Sequence, residues 1–178
     1  TIYGAGAEKI GEQIGVDEAE AQAIIDKLMN RFPQIKQYIA ATHKIIAKKG
    51  RVVTPYGRFR RFPMANIGRW MKGRNDRQGV NFLIQSYCSD IVMSCLVNMN
   101  KHRRDICSRV LLTVHDSICF EMPVRMLPAL KAFLQLRVDE HISRAFPDMP
   151  VAMPYDIDVG FSYGEKMGMD RFMAQVSA

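Results

Sequence analysis

A single carboxylate between two apolar runs is the residue best placed for chemistry. Asp116 stands in the segment His115-Asp116-Ser117, between Leu111–Val114 and Ile118–Phe120. Two β-prone runs around so short a polar segment predict a β-hairpin with a tight turn, and their nearly continuous apolar character predicts that both faces are covered. A carboxylate held rigidly at such a tip could bind a divalent cation. Asp is also common in turns, so the hairpin alone favours an ordinary turn residue.

Three polar side chains spaced four residues apart form a second candidate site. Arg77, Asn81 and Gln85 fall in a segment that is predicted to be a long helix from about Asp76 to His102. Steps of four residues place them on one stripe, and these side-chain types read base edges in the minor groove of DNA. Taken alone, the stripe is more simply a solvated helix face. Asp90, in the same helix, would need a partner if it were buried.

Charge and composition favour a polyanionic partner. The 178 residues include 25 Lys and Arg against 18 Asp and Glu, a formal net charge of +7. Such a balance is typical of nucleic-acid-binding proteins, and a basic protein without such a partner is the alternative. The most apolar segment, Val80 to Met99, contains Asn81, Gln85 and Asp90 and is therefore not predicted to span a membrane. The four cysteines show no C-x-x-C pair and predict reduced, mostly buried thiols in a cytoplasmic protein: Cys88, Cys95, Cys107 and Cys119.

Helices outnumber strands in the predicted order of elements, which indicates an α+β fold with a small antiparallel sheet. The pattern predicts helices at Ala7 to Ile14, after Asp17 to Arg31, from Pro33 to Lys49, from Asp76 to His102 and from Met126 to Phe146. It also predicts a second hairpin, with Arg51 to Thr54 and Arg58 to Phe62 around a turn, then a loop from Pro63 to Asn75. A last strand, Asp156 to Val159, is expected to join the central hairpin as its third strand.

Five segments, in order along the chain, resemble motifs of family A DNA polymerases, the bacterial DNA polymerase I type. They resemble the end of motif B (Thr1–Gly4), the Gly-Arg-Arg hairpin (Tyr56–Arg61), the stretch before motif C (Arg77–Asp90), motif C (Val114–Asp116) and the C-terminal signature (Val159–Glu165). The resemblance implies a helical fingers remnant with a β-hairpin over residues 1–75. It implies part of the polymerase palm, whose small antiparallel sheet carries the His-Asp hairpin, over residues 76–178.

The resemblance also implies roles for individual residues in adding dNTPs to a primer on a DNA template. Asp116 would be one of two aspartates that hold two Mg²⁺ ions, and His115 would lie near the primer terminus. The remaining implied DNA contacts are Arg77 and Gln85 in the minor groove, Asn81 in their support, Tyr3 and Gly4 by the nascent base pair, and Arg58, Arg60 and Arg61 near the duplex backbone.

Two departures from the family pattern limit what the chain could do alone. Ser117 stands where the family usually has Glu, and the family's motif A, with the second metal-binding Asp, is not in this sequence. Glu121 is the nearest other carboxylate, but it lies down the second strand. The chain would therefore carry half an active site and need an N-terminal polymerase fragment as partner. The alternatives are a fragment of a single-subunit phage-type RNA polymerase, which also uses His-Asp-Ser, or a non-catalytic DNA-binding remnant.

Thr1 falls inside the motif B resemblance and suggests a hypothesis about origin. Inteins favour active-site motifs, and the residue that follows an intein must be Ser, Thr or Cys because its side chain is a splicing nucleophile. An intein or split gene is therefore one expectation, and an arbitrary gene-fragment boundary is the other. The expected location is the cytoplasm of a bacterium or of a phage host.

Overall fold

The computed structural model describes residues 6–63 and 68–176, and these are mostly helical with short antiparallel strands. The α-helices are α1 (Ala7–Ile14), α2 (Glu18–Arg31), α3 (Pro33–Lys49), α4 (Arg69–Lys101), α5 (Leu130–Leu134), α6 (Glu140–Ala145) and α7 (Met169–Val176). The strands are β1 (Arg51–Val53), β2 (Phe59–Arg61), β3 (Arg109–Val114), β4 (Ser117–Glu121), β5 (Asp158–Ser162) and β6 (Glu165–Gly168). The α+β class predicted from the sequence is confirmed.

The first three helices begin and end where their local signals predict. The Asp17 side chain accepts a hydrogen bond from the Glu20 backbone N–H at 2.7 Å, which caps the start of α2. Gly15 and Gly50 end α1 and α3 in the left-handed conformation, at φ 75° and 60°. Pro33 opens α3, where its missing N–H has no helical partner to lose.

The long helix begins earlier than its sequence indicates. The prediction of a loop through Asn75 is wrong for its last part, because α4 is already helical from Arg69. Tertiary packing outweighs the weak propensity of this stretch: Asn75 and Asp76 are buried, and Asp76 lies 3.8 Å from His43 of α3.

The strands form separate two-stranded ladders among the described residues, rather than one sheet. The expected third strand is wrong in both range and partner: β5 covers Asp158–Ser162 and pairs with β6. A bulge between Gly160 and Ser162 bends this ladder. A Cβ on Gly160 would overlap the Glu165 carbonyl oxygen, so the two strands meet at a position that only glycine fits.

The helical segment after the central hairpin is less regular than predicted. Residues 124–145 run through a 3₁₀ turn (Val124–Ala129), α5, a π-helical turn (Gln135–Asp139) and α6, instead of one α-helix from Met126 to Phe146. Pro128, which has no N–H for the helical ladder, lies inside the 3₁₀ turn.

Three buried clusters among the described residues join the helices from α3 to α7 and the first two hairpins. The largest joins the end of α4, the segment 124–134 and α7, and contains Met99, Ile106, Leu127, Leu130, Phe133, Leu134, Met169 and Phe172. A second packs α3 and the first hairpin on α4 through Ile46, Val52 and Phe62, and a third packs α4 on α6 through Ile91, Cys95, Ile142 and Phe146. The helix α4 is therefore the common support of both hairpins.

The cysteines are more exposed than predicted. All four are free thiols, but only Cys95 is buried, Cys119 is intermediate, and Cys88 and Cys107 are exposed. Cys107 ends a 3₁₀ turn in the left-handed conformation, at φ 53°, and Cys88 lies next to the exposed Ser89 on the outer side of α4. The expectation of mostly buried thiols is therefore wrong.

Most of α4, Met71–Lys101, is long and apolar enough to cross a membrane by length and composition alone. Core helices of soluble proteins share this length and composition, and 17% of the most apolar 18-residue stretch of the helix is buried. The prediction that this segment does not span a membrane rests on Asn81, Gln85 and Asp90, which lie inside it.

Candidate nucleic-acid and catalytic site

The predicted central hairpin is confirmed, with His115 and Asp116 at its tip. The strands β3 and β4 pair from Arg109–Glu121 up to Val114–Ser117. His115 adopts a left-handed backbone conformation, φ 54°, which makes the two-residue turn possible. The Ser117 hydroxyl donates a hydrogen bond to the Val114 carbonyl at 2.8 Å. Ser117 therefore closes the turn, while the Asp116 side chain is exposed.

One face of this hairpin is open, contrary to the expectation that both would be covered. Leu111, Leu112 and Val114 are 49%, 45% and 40% exposed. The opposite side is anchored by Ile118, which packs against both the largest cluster and the cluster between α4 and α6. These side chains lie on a two-stranded ladder that no other described strand extends, and they remain exposed.

The described residues offer one carboxylate, not a complete metal site, at the hairpin tip. No group of three or more His, Cys, Asp or Glu side chains in residues 6–63 and 68–176 is arranged to hold an ion. Glu121 is paired with Arg109 at 2.7 Å, at the opposite end of the hairpin from Asp116. The hairpin tip therefore presents Asp116 without a second acidic, His or Cys cluster among the described residues.

The polar stripe of α4 is accessible at both ends and constrained in the middle. Arg77 and Gln85 are exposed, whereas Asn81 is half-buried. The Asn81 Oδ1 atom is buried and has no hydrogen-bond partner among the described residues. A buried unpaired acceptor is costly, so a donor at this position would stabilise it. The stripe is therefore exposed at Arg77 and Gln85 and offers a buried acceptor at Asn81.

The first hairpin places its arginines on two different faces. Arg58 Nε donates to Asp90 Oδ1 at 2.9 Å, and the pairing raises the pKa of the Arg58 guanidinium. Arg60 Nη2 donates to Gln78 Oε1 at 2.9 Å. Both contacts run to α4. Asp90, whose side chain is 13% exposed, thus has a partner for Oδ1, while its Oδ2 atom is buried without a hydrogen-bond partner among the described residues.

Arg61 points to the other face of this hairpin, where its guanidinium lies 5.2 Å from the centre of the Phe59 ring. The structure therefore separates the three arginines that the sequence groups together. Tyr3 and Gly4, which complete the predicted DNA contacts, lie outside the described residues.

Two long-range contacts in this region could not be predicted from the sequence. Tyr56, at the turn of the first hairpin, donates to the Ala145 carbonyl at 3.0 Å, and its ring centre lies 4.7 Å from that of Phe146. Ser94 of α4 lies 2.8 Å from His141 Nε2 of α6. Burial, with Arg144 and Lys101 nearby, lowers the pKa of His141. The two hydrogen-bonded pairs are 89 and 47 residues apart in the sequence, and no local pattern indicates them.

An α+β chain that presents an exposed carboxylate at a hairpin tip and a polar stripe on a supporting helix has the arrangement expected of part of a nucleic-acid polymerase. The comparison with known families agrees: the family described as DNA polymerase family A matches residues 1–165. The chain belongs to this family. The match favours the DNA polymerase interpretation over the phage-type RNA polymerase alternative.

Individual relatives support the same assignment. The chain is 30% identical over 142 residues to DNA polymerase I of Helicobacter pylori, covering 79% of this chain and 16% of that protein. It is 27% identical over 160 residues to the thermostable DNA polymerase I of Thermus filiformis, covering 89% of this chain and 18% of that protein. The chain thus spans less than a fifth of the length of these relatives.

A solved structure is similar over most of the chain. It is the polymerase domain of Pol1 from M. smegmatis, in complex with DNA primer-template and dNTP. The TM-score is 0.70 at 27% sequence identity, and the match covers 82% of this chain and 26% of that one.

Proposed function

We propose that this chain is the C-terminal part of a template-directed DNA polymerase that adds dNTPs to a primer 3′ end. The observation that carries the proposal is the exposed carboxylate of Asp116, held at the tip of a hairpin in a chain of this family. The similar M. smegmatis polymerase domain forms its complex with DNA primer-template and dNTP, which supports the same partners for this chain.

Asp116 is the described residue that would hold a metal ion at this site. When bound by Asp116 and a second carboxylate, two Mg²⁺ ions would stabilise the attacking and leaving oxygens of nucleotidyl transfer. The second carboxylate would come from an N-terminal polymerase part, since the described residues form no such cluster. The chain's own contribution is placement: the β3–β4 ladder and the packing of the partly buried Ile118 hold the turn that carries Asp116.

The helix α4 would carry the primer-template contacts. Arg77 and Gln85, both exposed, would donate to base edges in the minor groove, and Asn81 would use its unpaired Oδ1 in their support. His115 would lie near the primer terminus, beside Asp116. We assign residues 1–75 to the fingers and residues 76–178 to the palm, with α4 running continuously through the boundary between them.

The test requires a completed polymerase, which is this chain preceded by the upstream polymerase residues of the Helicobacter pylori relative. We expect this protein to extend a primer, and Arg77→Gln to weaken its primer-template affinity about 10-fold through the lost base contact. Arg125→Gln is the matched control, because Arg125 is also exposed and makes no ion pair among the described residues. Equal affinities of the two variants would reject the assigned role of the stripe. DNA binding without any primer extension would favour the non-catalytic alternative.

A further inference from the structure

The first hairpin has an inner and an outer face, and its hydrogen bonds define them. The Thr54 N–H donates to the Arg58 carbonyl, and the Phe62 N–H donates to the Gly50 carbonyl. Those residues are therefore hydrogen-bonded pairs, and the pairs Arg51–Arg61 and Val53–Phe59 between them are not. Residues two apart share a face, so these four side chains lie together on the outer face.

The inner face packs on α4 and on the buried core. Val52, Thr54 and Phe62 are buried there, and Arg58 and Arg60 donate to side chains of α4. The outer face is accessible: Val53 is 49% exposed and Phe59 is 51% exposed, and both arginines are exposed. The outer face is therefore free to contact another molecule.

Two arginines stand directly opposite each other on this outer face. Arg51 and Arg61 form a cross-strand pair, and side chains approach most closely at positions without ladder hydrogen bonds. Like charges directly opposite each other destabilise a sheet. Neither arginine forms an ion pair with a carboxylate in the described part of the chain. The fold thus tolerates a repulsion that an anion between the two guanidinium groups would relieve.

A cleft begins beside this pair. It has a volume of about 650 Å³ and is lined by Lys49, Gly50, Arg51, Arg61, Phe62 and Pro63, a set with three cations and no carboxylate. The guanidinium of Arg61 lies over the Phe59 ring, which orients its donors and leaves about half of Phe59 exposed. Cations next to an exposed aromatic ring are the combination that binds single-stranded nucleic acid, through phosphates and base stacking.

We propose that the outer face of the first hairpin binds a single strand of nucleic acid. Arg51, Arg61 and Lys49 hold its phosphates, and Phe59 stacks on a base. This surface is separate from the stripe Arg77–Asn81–Gln85, which lies on α4. The proposal rests on the proposed function only in taking DNA as the polyanion, and a single-stranded template segment beyond the duplex is the natural occupant.

The experiment measures fluorescence anisotropy of a labelled oligo-dT strand with the 178-residue chain over a series of salt concentrations. The double variant Arg51→Gln/Arg61→Gln should weaken binding at least 10-fold and reduce the salt slope by about 1.4, the value for two lost phosphate contacts to a single strand. The control Arg125→Gln/Arg171→Gln makes the same charge change at exposed arginines elsewhere and should leave the slope within about 0.3 of the original value.

Further arms separate a binding role from a structural one. The Arg51→Gln/Arg61→Gln variant should be as stable to urea as the original chain or more stable, since it relieves a repulsion. Phe59→Ala should weaken strand binding without changing the salt slope. The proposal would be overturned if the two double variants bound oligo-dT with the same affinity and the same salt slope. It would also be overturned if Arg51→Gln/Arg61→Gln weakened binding to poly-glutamate as much as binding to oligo-dT. Arg77→Gln separates the two proposals: its effect on duplex binding tests the proposed role of α4, and it should leave binding of the single strand to the outer face unchanged.

Discussion

A methyl group at Gly79 would test how tightly the long helix and the first hairpin are joined. A Cβ on Gly79 would overlap Ile46 Cδ1 and lie 3.3 Å from Ile46 Cγ1. Ile46 is 1% exposed and packs with Val52 and Phe62, so it has little space into which it can move. Overpacking a core costs about 1–3 kcal/mol, and replacing a helical Gly by Ala returns about 1 kcal/mol. We therefore expect Gly79→Ala to lower the free energy of unfolding by about 1 kcal/mol.

The companion variant is Ile46→Val, which removes the methyl group that the new side chain would meet. Alone it should cost about 0.5–1.5 kcal/mol. In the double variant the introduced methyl fills the vacated space, so the double variant should be about 2 kcal/mol more stable than the sum of the single changes. Gly73→Ala is the control in the same helix: its Cβ would meet Arg77 Nη1 at an ordinary 3.7 Å, and the change should stabilise by up to about 1 kcal/mol.

Unfolding in urea, followed by far-ultraviolet circular dichroism, measures all four variants. Additivity of Gly79→Ala and Ile46→Val within about 0.5 kcal/mol would refute the reasoning, because it would mean that the two groups do not meet. Such additivity would also contradict the conclusion that the first hairpin packs tightly on α4.

The remaining predictions concern titration and thiol reactivity. Burial raises the pKa of the Cys95 thiol to about 11, so iodoacetamide should modify the exposed Cys88 and Cys107 long before Cys95, as read by peptide mass spectrometry. Equal modification rates would contradict the buried position of Cys95. The lowered pKa of His141 means that the unfolded chain binds the proton more readily, so this group's contribution to stability is present above pH about 6.5 and is lost as the pH falls below it. His141→Gln should therefore reduce the loss of stability between pH 7.5 and 5.5 in urea titrations. A pH dependence that is unchanged in this variant would contradict the lowered pKa of His141.

Local signals in the sequence predict the elements whose causes are local. The cap at Asp17, the left-handed glycines at 15 and 50 and the turn at His115-Asp116 each depend on a few adjacent residues, and the structure confirms all of them. The family motifs likewise predicted the family, because each is a short run of residues. The roles of Asp116 and of the α4 stripe are still predictions.

Features that depend on distant residues were not predictable in the same way. The early start of α4 accompanies the burial of Asn75 in the stretch predicted as a loop, and the separate β5–β6 ladder depends on which strands meet in space. The apolar pattern of Leu111–Val114 suggested burial, but exposure depends on what else lies above the strand. The division of Arg58, Arg60 and Arg61 between two faces follows from the alternation of a strand, but which face packs on α4 depends on tertiary contacts that sequence positions do not show.

The central claim is that the Asp116 carboxylate takes part in nucleotide addition. The direct measurement is single-turnover primer extension by the completed polymerase at saturating DNA, with DNA affinity measured in parallel by anisotropy. Asp116→Asn should lower the incorporation rate at least about 100-fold with little change in DNA affinity, because it removes a charge needed in the transition state. Ser117→Ala and Glu121→Gln, which change the turn bond and the Arg109 pair, should retain most of the rate. Incorporation by Asp116→Asn within a few-fold of the original rate would contradict the claim.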